Sequence, residues 1–286
     1  MAIAIIPDMR IAIQGEPGSF SHEAALKFVS GAEIVPCALS AEVFAKLDEG
    51  AADAAAIPIE NSLAGSVLEH FDLLLKHDVT VVRETLLRIR HNLIAINGAR
   101  VEGIERVFSH PVALAQCRRF LAGHAWMKPI AFYDTAGSVK QLVEQRDAKA
   151  GAIASKEAAR IYGATVLAGD IEDDPENYTR FFLVRRSAEA EVDPEPNKLS
   201  IAFSVENRPG SLVAALSALS AQRTNLTKIE SRPVQGKPWE YIFYVDCQIG
   251  SSEEGTRALE ALAAHCGMVK ELGRYREARD AESIND

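Results

Sequence analysis

Asn177-Tyr178-Thr179-Arg180-Phe181 places a hydroxyl and a guanidinium at the mouth of an apolar strand, Phe181-Phe182-Leu183-Val184. A polar, acidic loop over 169–176 leads into it. Such groups, on a loop carried by a rigid strand, suit binding and proton donation; the alternative is that Thr179 and Arg180 only close a turn. Other loops carry similar chemistry. Ser19 and Ser21 follow Gly15-Glu16-Pro17-Gly18, and Asn61 and Ser62 follow an apolar run over 54–59. Ser109, Asp134-Thr135-Ala136 and Ser155 each close a strand ahead of a helix. Helix starts of this kind turn backbone N–H groups and the positive end of the dipole toward an anion, and a carboxylate fits them. Each is equally explained as an ordinary helix cap. The Gly15–Gly18 turn is a weak phosphate loop without Gly-Lys-Ser/Thr, so nucleotide binding is not expected. His91 lies in a polar interruption over 88–92 and has no metal-spaced partner, so it reads as a hydrogen-bonded core or hinge residue.

The composition narrows the class. A chain of 286 residues with 48% hydrophobic and 25% charged content fits an ordinary globular protein of two domains. The net charge of -9 argues against a nucleic-acid partner. Cys37, Cys117, Cys247 and Cys266 form no C-x-x-C pair, so reduced thiols and a cytoplasmic location are expected, with no metal and no cofactor. The short apolar run at the N-terminus lacks a basic flank and a cleavage site, and no stretch is long enough to span a membrane, so no membrane partner is expected.

The elements that must position these loops alternate strand and helix. Strands are expected over 10–15, 34–37 and 54–59, with helices over 22–29, 41–49 (capped by Ser40) and 67–77. Two strands follow, over 79–87 and 89–96. A second lobe is expected to place strands over 105–108, 130–133 and 151–154 before helices over 112–122, 139–145 and 156–162. Pro111 suits the first position of the helix over 112–122, with Ser109 or His110 as its cap and Gln116 inside it. The chain returns to the first lobe over 181–184. An acidic, Pro-containing stretch over 187–197 reads as a linker. Beyond it, strands over 199–205, 225–233, 239–248 and 269–276 and helices over 212–222 and 252–266 give the order β-α-β-β-α-β, a split βαβ layout.

Taken together these motifs closely resemble prephenate dehydratase followed by an ACT regulatory domain. The resemblance runs from Arg10 to Arg276. It rests on Gly15-Glu16-Pro17-Gly18-Ser19-Phe20-Ser21, Pro58-Ile59-Glu60-Asn61-Ser62, Ser109-His110-Pro111 with Gln116-Cys117, Asp134-Thr135-Ala136 and Thr179-Arg180-Phe181. In the last domain it rests on Asn207-Arg208-Pro209-Gly210-Ser211-Leu212 and Glu230-Ser231-Arg232-Pro233. The chain departs from the family at Ser211 and Val112, where Ala and Gln are common. The residues before Arg10 leave no room for a fused chorismate mutase domain, which is therefore not expected.

The resemblance implies an α/β fold: a two-lobed, type II periplasmic-binding-protein-like domain over 1–187, then a linker over 188–198. A ferredoxin-like ACT domain over 199–276 and a tail over 277–286 complete it. Lobe one would span about 1–88 and 178–187, and lobe two about 89–177. It implies a hydro-lyase that converts prephenate to phenylpyruvate in phenylalanine synthesis and forms a homodimer or homotetramer. Thr179 would donate to the leaving oxygen. Ser19, Asn61, Ser62, Ser109, Gln116, Asp134, Thr135, Ala136, Arg180 and Phe181 would hold the substrate. Asp134 would either face Arg180 or orient Thr135. Feedback by L-phenylalanine is implied at Asn207, Pro209, Gly210, Ser211, Leu212, Glu230, Ser231, Arg232 and Pro233. Two alternatives stand beside this reading: an arogenate dehydratase, and a non-catalytic two-lobed amino-acid sensor.

Overall fold

A computed structural model describes residues 9–191, 193–234 and 239–278. The tail over 279–286 lies outside the described residues. The chain divides into two compact units. The first holds Met1–Leu68 and Thr85–Phe181, and the second Glu69–Glu84 and Phe182–Asp286.

In chain order the first elements are β1 (Arg10–Gln14), α1 (Phe20–Phe28), β2 (Glu33–Cys37), α2 (Ser40–Asp48), β3 (Ala54–Asn61), β4 (Gly65–Ser66), α3 (Leu68–Lys76) and β5 (Val79–Arg88). Next come β6 (Asn92–Ala95), β7 (Arg106–Ser109), α4 (Pro111–Ala115), α5 (Arg118–Gly123), β8 (Lys128–Ala131), α6 (Thr135–Gln145), β9 (Ala150–Ala154), α7 (Lys156–Tyr162), β10 (Thr165–Ala168) and β11 (Tyr178–Arg186). One sheet runs β2-β1-β3-β11-β5, with the short β4 on β3. A second runs β10-β6-β9-β7-β8. These are the two lobes that strand–helix alternation predicts. The central strands are continuous apolar runs, as strands covered on both faces require: Ile11 to Ile13, Ala54 to Ile57 and Ala152 to Ala154 are fully buried.

The helix expected over 112–122 is two helices. Gln116 ends α4 and Cys117 precedes α5. The break has a cause far along the chain: the Asp173 carboxylate accepts from the N–H groups of Arg118 (3.0 Å) and Arg119 (2.9 Å), and Asp173 N–H donates to Gln116 O (2.6 Å). A carboxylate on those two donors caps a new helix start. Ser40 is not the cap of α2 but its first residue, and its hydroxyl donates to Gln14. Glu42 reaches back instead, accepting from Ala38 N–H. Strands β4 and β10, absent from the expectation, extend each sheet by an antiparallel pairing.

Two glycines bring lobe-one backbone against lobe two. Gly18 has φ +89°, and a Cβ there would lie 2.6 Å from the Cα of Ala158 at the start of α7. Gly15 has φ +100°, and a Cβ there would lie 2.6 Å from an Asp134 carboxylate oxygen. Both positions need a left-handed backbone and no side chain.

In the second unit, β12 (Lys198–Ser204), α8 (Ser211–Ala221), β13 (Asn225–Pro233), β14 (Tyr241–Gln248), α9 (Ser252–Ala263) and β15 (Met268–Tyr275) form the expected βαββαβ order. The antiparallel sheet runs β13-β14-β12-β15. Leu199, Ile201, Phe203, Val245 and Cys247 face the helices, packing against Ala215, Leu219, Ala258 and Leu262. Glu277 and Ala278, at the start of the expected tail, are held: Glu277 pairs with Lys198, and Ala278 N–H donates to Glu84. No helix among the described residues is long and apolar enough to cross a membrane.

Candidate active site

The end of β3 and the start of β11 meet at Asn61. Its Oδ1 accepts from the N–H groups of Leu63 (3.1 Å) and Ala64 (2.8 Å), a turn that asparagine forms readily. That fixes which end of the amide is which, and Nδ2 faces β11. Its two hydrogens are shared among Asn177 Oδ1 (2.8 Å), Thr179 Oγ1 (2.9 Å) and the Tyr178 carbonyl (3.1 Å). Thr179 Oγ1 is therefore an acceptor. Its own hydrogen finds no acceptor among the described residues, although Thr179 is only 8% exposed. A hydroxyl held by one donor and left with an unspent proton is arranged to donate to something that is not protein.

Gln116, displaced to the end of α4 by the helix break, joins the same network. Its Oε1 accepts from Asn177 Nδ2 (3.0 Å) and contacts His91 Nε2 (2.9 Å), and its Nε2 donates to Asn61 Oδ1 (3.4 Å). Asn177 is fully buried, and its carbonyl accepts from Ile89 N–H (2.7 Å). Ser62 serves the loop itself: its hydroxyl donates to Glu176 O (2.8 Å) and accepts from Tyr178 N–H (3.0 Å). Successive strand residues face opposite sides, so Phe181 shares the face of Thr179 and Arg180 takes the other.

Three helix starts meet at the Gly15–Gly18 turn within the first unit. Ser19 caps α1, accepting from His22 N–H, and His22 Nδ1 accepts from Gly18 N–H (2.8 Å). Ser155 caps α7 and donates to Gly18 O (2.7 Å). Asp134 caps α6, accepting from Gly137 N–H (2.6 Å). Burial pushes the Asp134 carboxyl above its ordinary value, while the N–H groups of Gly137 and Glu16 act the other way. Its carboxylate is spent on backbone donors rather than on Arg180. Glu16 is gripped from lobe two by Tyr133 (3.1 Å) and Lys140 (3.0 Å).

The residues singled out in the sequence thus separate. Asn61, Gln116 and Thr179 share one network. Ser19, Asp134 and Thr135 stand at helix starts. Ser109 is fully buried and donates to Ile153 O (2.6 Å), and Ala136 lies in the lobe-two core. Sequence reasoning passes over Asn177 as a member of the network, whereas His91 is a hydrogen-bonded core residue, one of the two roles expected of it. The one available signal was a polar residue next to an apolar strand. In the second unit, 207–210 form an exposed turn with Gly210 in the left-handed region (φ 84°), leading to Ser211 and Leu212 in α8. Glu230, Ser231, Arg232 and Pro233 end the edge strand β13, where Arg232 forms a two-pronged ion pair with Asp72 of α3.

His22 and His91 set an acid limit on stability. Burial pushes both imidazoles below their ordinary 6.5. The folded state takes up these protons at a lower pH than the unfolded chain, which takes them up near 6.5. Below that pH the unfolded state binds more protons, so stability falls as pH drops and is unaffected by them above it. The thermal midpoint should therefore fall between about pH 7 and pH 5. His22→Asn, which keeps an acceptor for Gly18 N–H, should lose less over that range. An equal loss in the variant would remove His22 from the account.

Comparison with known proteins gives the family. The family model described as prephenate dehydratase matches residues 11–189, and that of the ACT domain matches residues 199–264. Arogenate dehydratase 2 of Petunia hybrida is 40% identical over 282 residues, covering 93% of this chain and 71% of that protein. A crystal structure of prephenate dehydratase in complex with L-Phe from Arthrobacter aurescens is 30% identical, with a TM-score of 0.86 over 94% of this chain and 90% of that one. A structure described as GqqA, a novel type of quorum quenching acylase, is 32% identical, with a TM-score of 0.85 over 93% of this chain and 97% of that one. The chain belongs to the prephenate dehydratase family and carries an ACT domain behind the family match.

Proposed function

We propose that this chain catalyses the decarboxylating dehydration of prephenate to phenylpyruvate, with Thr179 as the proton donor. The observation that carries this reading is the Thr179 hydroxyl, which accepts from Asn61 and keeps its hydrogen unspent. Prephenate carries two carboxylates and a ring hydroxyl. The ring carboxylate leaves as carbon dioxide and its bonding electrons enter the ring. The C–O bond then breaks, and the hydroxyl takes a proton from Thr179 and leaves as water. Aromatisation supplies the driving force. The Asn61 N–H stabilises the charge left on Oγ1 until solvent returns the proton, and such preorganised donors are effective because they need not reorient. The starts of α1 and α6, with Ser19, Thr135 and the backbone around Ala136, are suited to the carboxylates. Gln116, Arg180 and Phe181 complete the binding set, while Ser62, Ser109 and Asp134 hold its framework.

L-phenylalanine is the effector in this reading, held by 207–212 and 230–233 of the ACT domain in a homo-oligomer. The relative from Arthrobacter aurescens, in complex with L-Phe, supports it. Arogenate, which has an amino group in place of the side-chain keto group, is the competing substrate, favoured by the relative from Petunia hybrida. Acylase chemistry through Thr179 is not favoured: a nucleophile needs a base to take its proton, and Asn61 donates to Oγ1 instead.

The test is turnover of prephenate and of arogenate by the full chain, each with and without L-phenylalanine. Phenylpyruvate formation suppressed by L-phenylalanine is expected. Faster phenylalanine formation from arogenate would reassign the substrate, and no turnover of either would overturn the reading.

A further inference from the structure

We infer that His91 is a positioning residue for this reaction, holding Gln116 so that an amide hydrogen is presented beside the Thr179 hydroxyl. The inference rests on the dehydratase reading above.

His91 is 2% exposed and sits edge-on to Phe20 with ring centroids 5.5 Å apart. Its Nε2 lies 2.9 Å from Gln116 Oε1, and its Nδ1 is buried without a partner. The rest of the network decides which atom donates. Asn61 is oriented by the N–H groups of Leu63 and Ala64, so its Nδ2 must donate to Asn177 Oδ1. Asn177 must then present its own Nδ2 to Gln116, which fixes Oε1 at that end of the Gln116 amide. Two acceptors do not attract, so His91 carries its hydrogen on Nε2 and donates it to Oε1. A charged ring would bury a second N–H on Nδ1 with nothing to receive it, so the ring stays neutral. Burial lowers its pKa, and the Gln116 bond and the nearby Glu172 carboxylate oppose that shift.

Gln116 Oε1 is thus clamped by two donors from two segments, Asn177 before β11 and His91 before β6. The Gln116 amide nitrogen then has two hydrogens. One is directed at Asn61 Oδ1, and the other has no acceptor among the described residues. It leaves the same network that holds the Thr179 hydroxyl, so two unspent donors arise from one rigid constellation. Gln116 ends a helix of one turn, α4, and α4 alone does not orient it. The clamp does. His91 touches no reacting atom in this account; it acts through Gln116.

The test compares His91→Leu, His91→Gln and His91→Asn in the full chain. Glutamine places an amide N–H near the position of Nε2 and can still donate to Gln116. Asparagine is one carbon shorter and cannot, and leucine has no donor. His91→Leu and His91→Asn should lower kcat about a hundred-fold, the scale of a misplaced binding group, with KM within about threefold of wild type. His91→Gln should stay within about threefold in kcat. A thermal midpoint for each variant separates loss of fold from loss of position. Equal kcat in all three variants and wild type would overturn the inference. So would a His91→Gln enzyme as impaired as the leucine variant, which would make His91 a proton carrier or a packing residue. If wild type turns over neither prephenate nor arogenate, the dehydratase reading fails first, and the two failures are told apart by that single control.

Discussion

Thr179→Ala should lower kcat by about a hundred- to a thousand-fold, equivalent to roughly 3–4 kcal/mol of transition-state stabilisation, with KM changed little. The size follows from the network. Alanine removes the hydroxyl at which the Asn61 amide and an unspent proton coincide. Proton donation to a leaving hydroxide is needed only as the C–O bond breaks, so its loss falls on kcat rather than on ground-state binding. Thr179→Ser keeps the hydroxyl and should retain most of the rate, losing only what the methyl group contributes to holding the rotamer. The folded state should be nearly unaffected, because Oγ1 makes a single protein hydrogen bond, worth about 1 kcal/mol. Steady-state kinetics on both variants decide the matter. A Thr179→Ala enzyme with an unchanged kcat, or one whose loss is entirely in KM, would make Thr179 a binding residue at most.

Much of this was legible in the sequence because local rules governed it. Apolar runs closed by small polar residues gave the strands and most helix starts, and the βαββαβ order followed from periodicity alone. What stayed hidden was set by residues distant in the chain. The helix over 112–122 satisfies every local helix signal and still breaks, because Asp173, 55 residues from Arg118, supplies a second cap. Ser109 and Ser155 look alike, each a serine at the end of an apolar strand. The structure separates them: Ser155 caps α7, whereas Ser109 gives its proton to a neighbouring strand. Asn177 and His91 carried no motif of their own. Their importance arises only where β3, β11, α4 and the loop before β6 converge, and no spacing rule along one chain predicts such convergence.

The second large effect belongs to unit 2 and to stability. Lys198→Met should destabilise it by about 3–5 kcal/mol, the range for removing one partner of a buried ion pair. Lys198 Nζ lies 3.1 Å and 3.4 Å from the two Glu84 oxygens, with side chains 7% and 2% exposed, and 3.1 Å from Glu277. The sequence placed Lys198 in a linker, where a lysine costs nothing. As the first residue of β12 it is instead a cation held against a carboxylate with almost no access to water. Methionine fits the volume but removes the lysine charge from a carboxylate that stays buried, with the Ala278 N–H (2.8 Å) among its remaining partners. Glu84→Gln should cost less, because Lys198 keeps Glu277, which is 35% exposed and better hydrated. The double variant Lys198→Met/Glu84→Gln separates charge from packing. With both charges gone, it should be more stable than Lys198→Met alone, because a neutral pair of similar volume is often as stable as the ion pair it replaces. Denaturant unfolding of the three variants supplies the cycle. Strictly additive losses would mean that water reaches Lys198 and Glu84 in solution, and that the pair contributes no more than one on the surface.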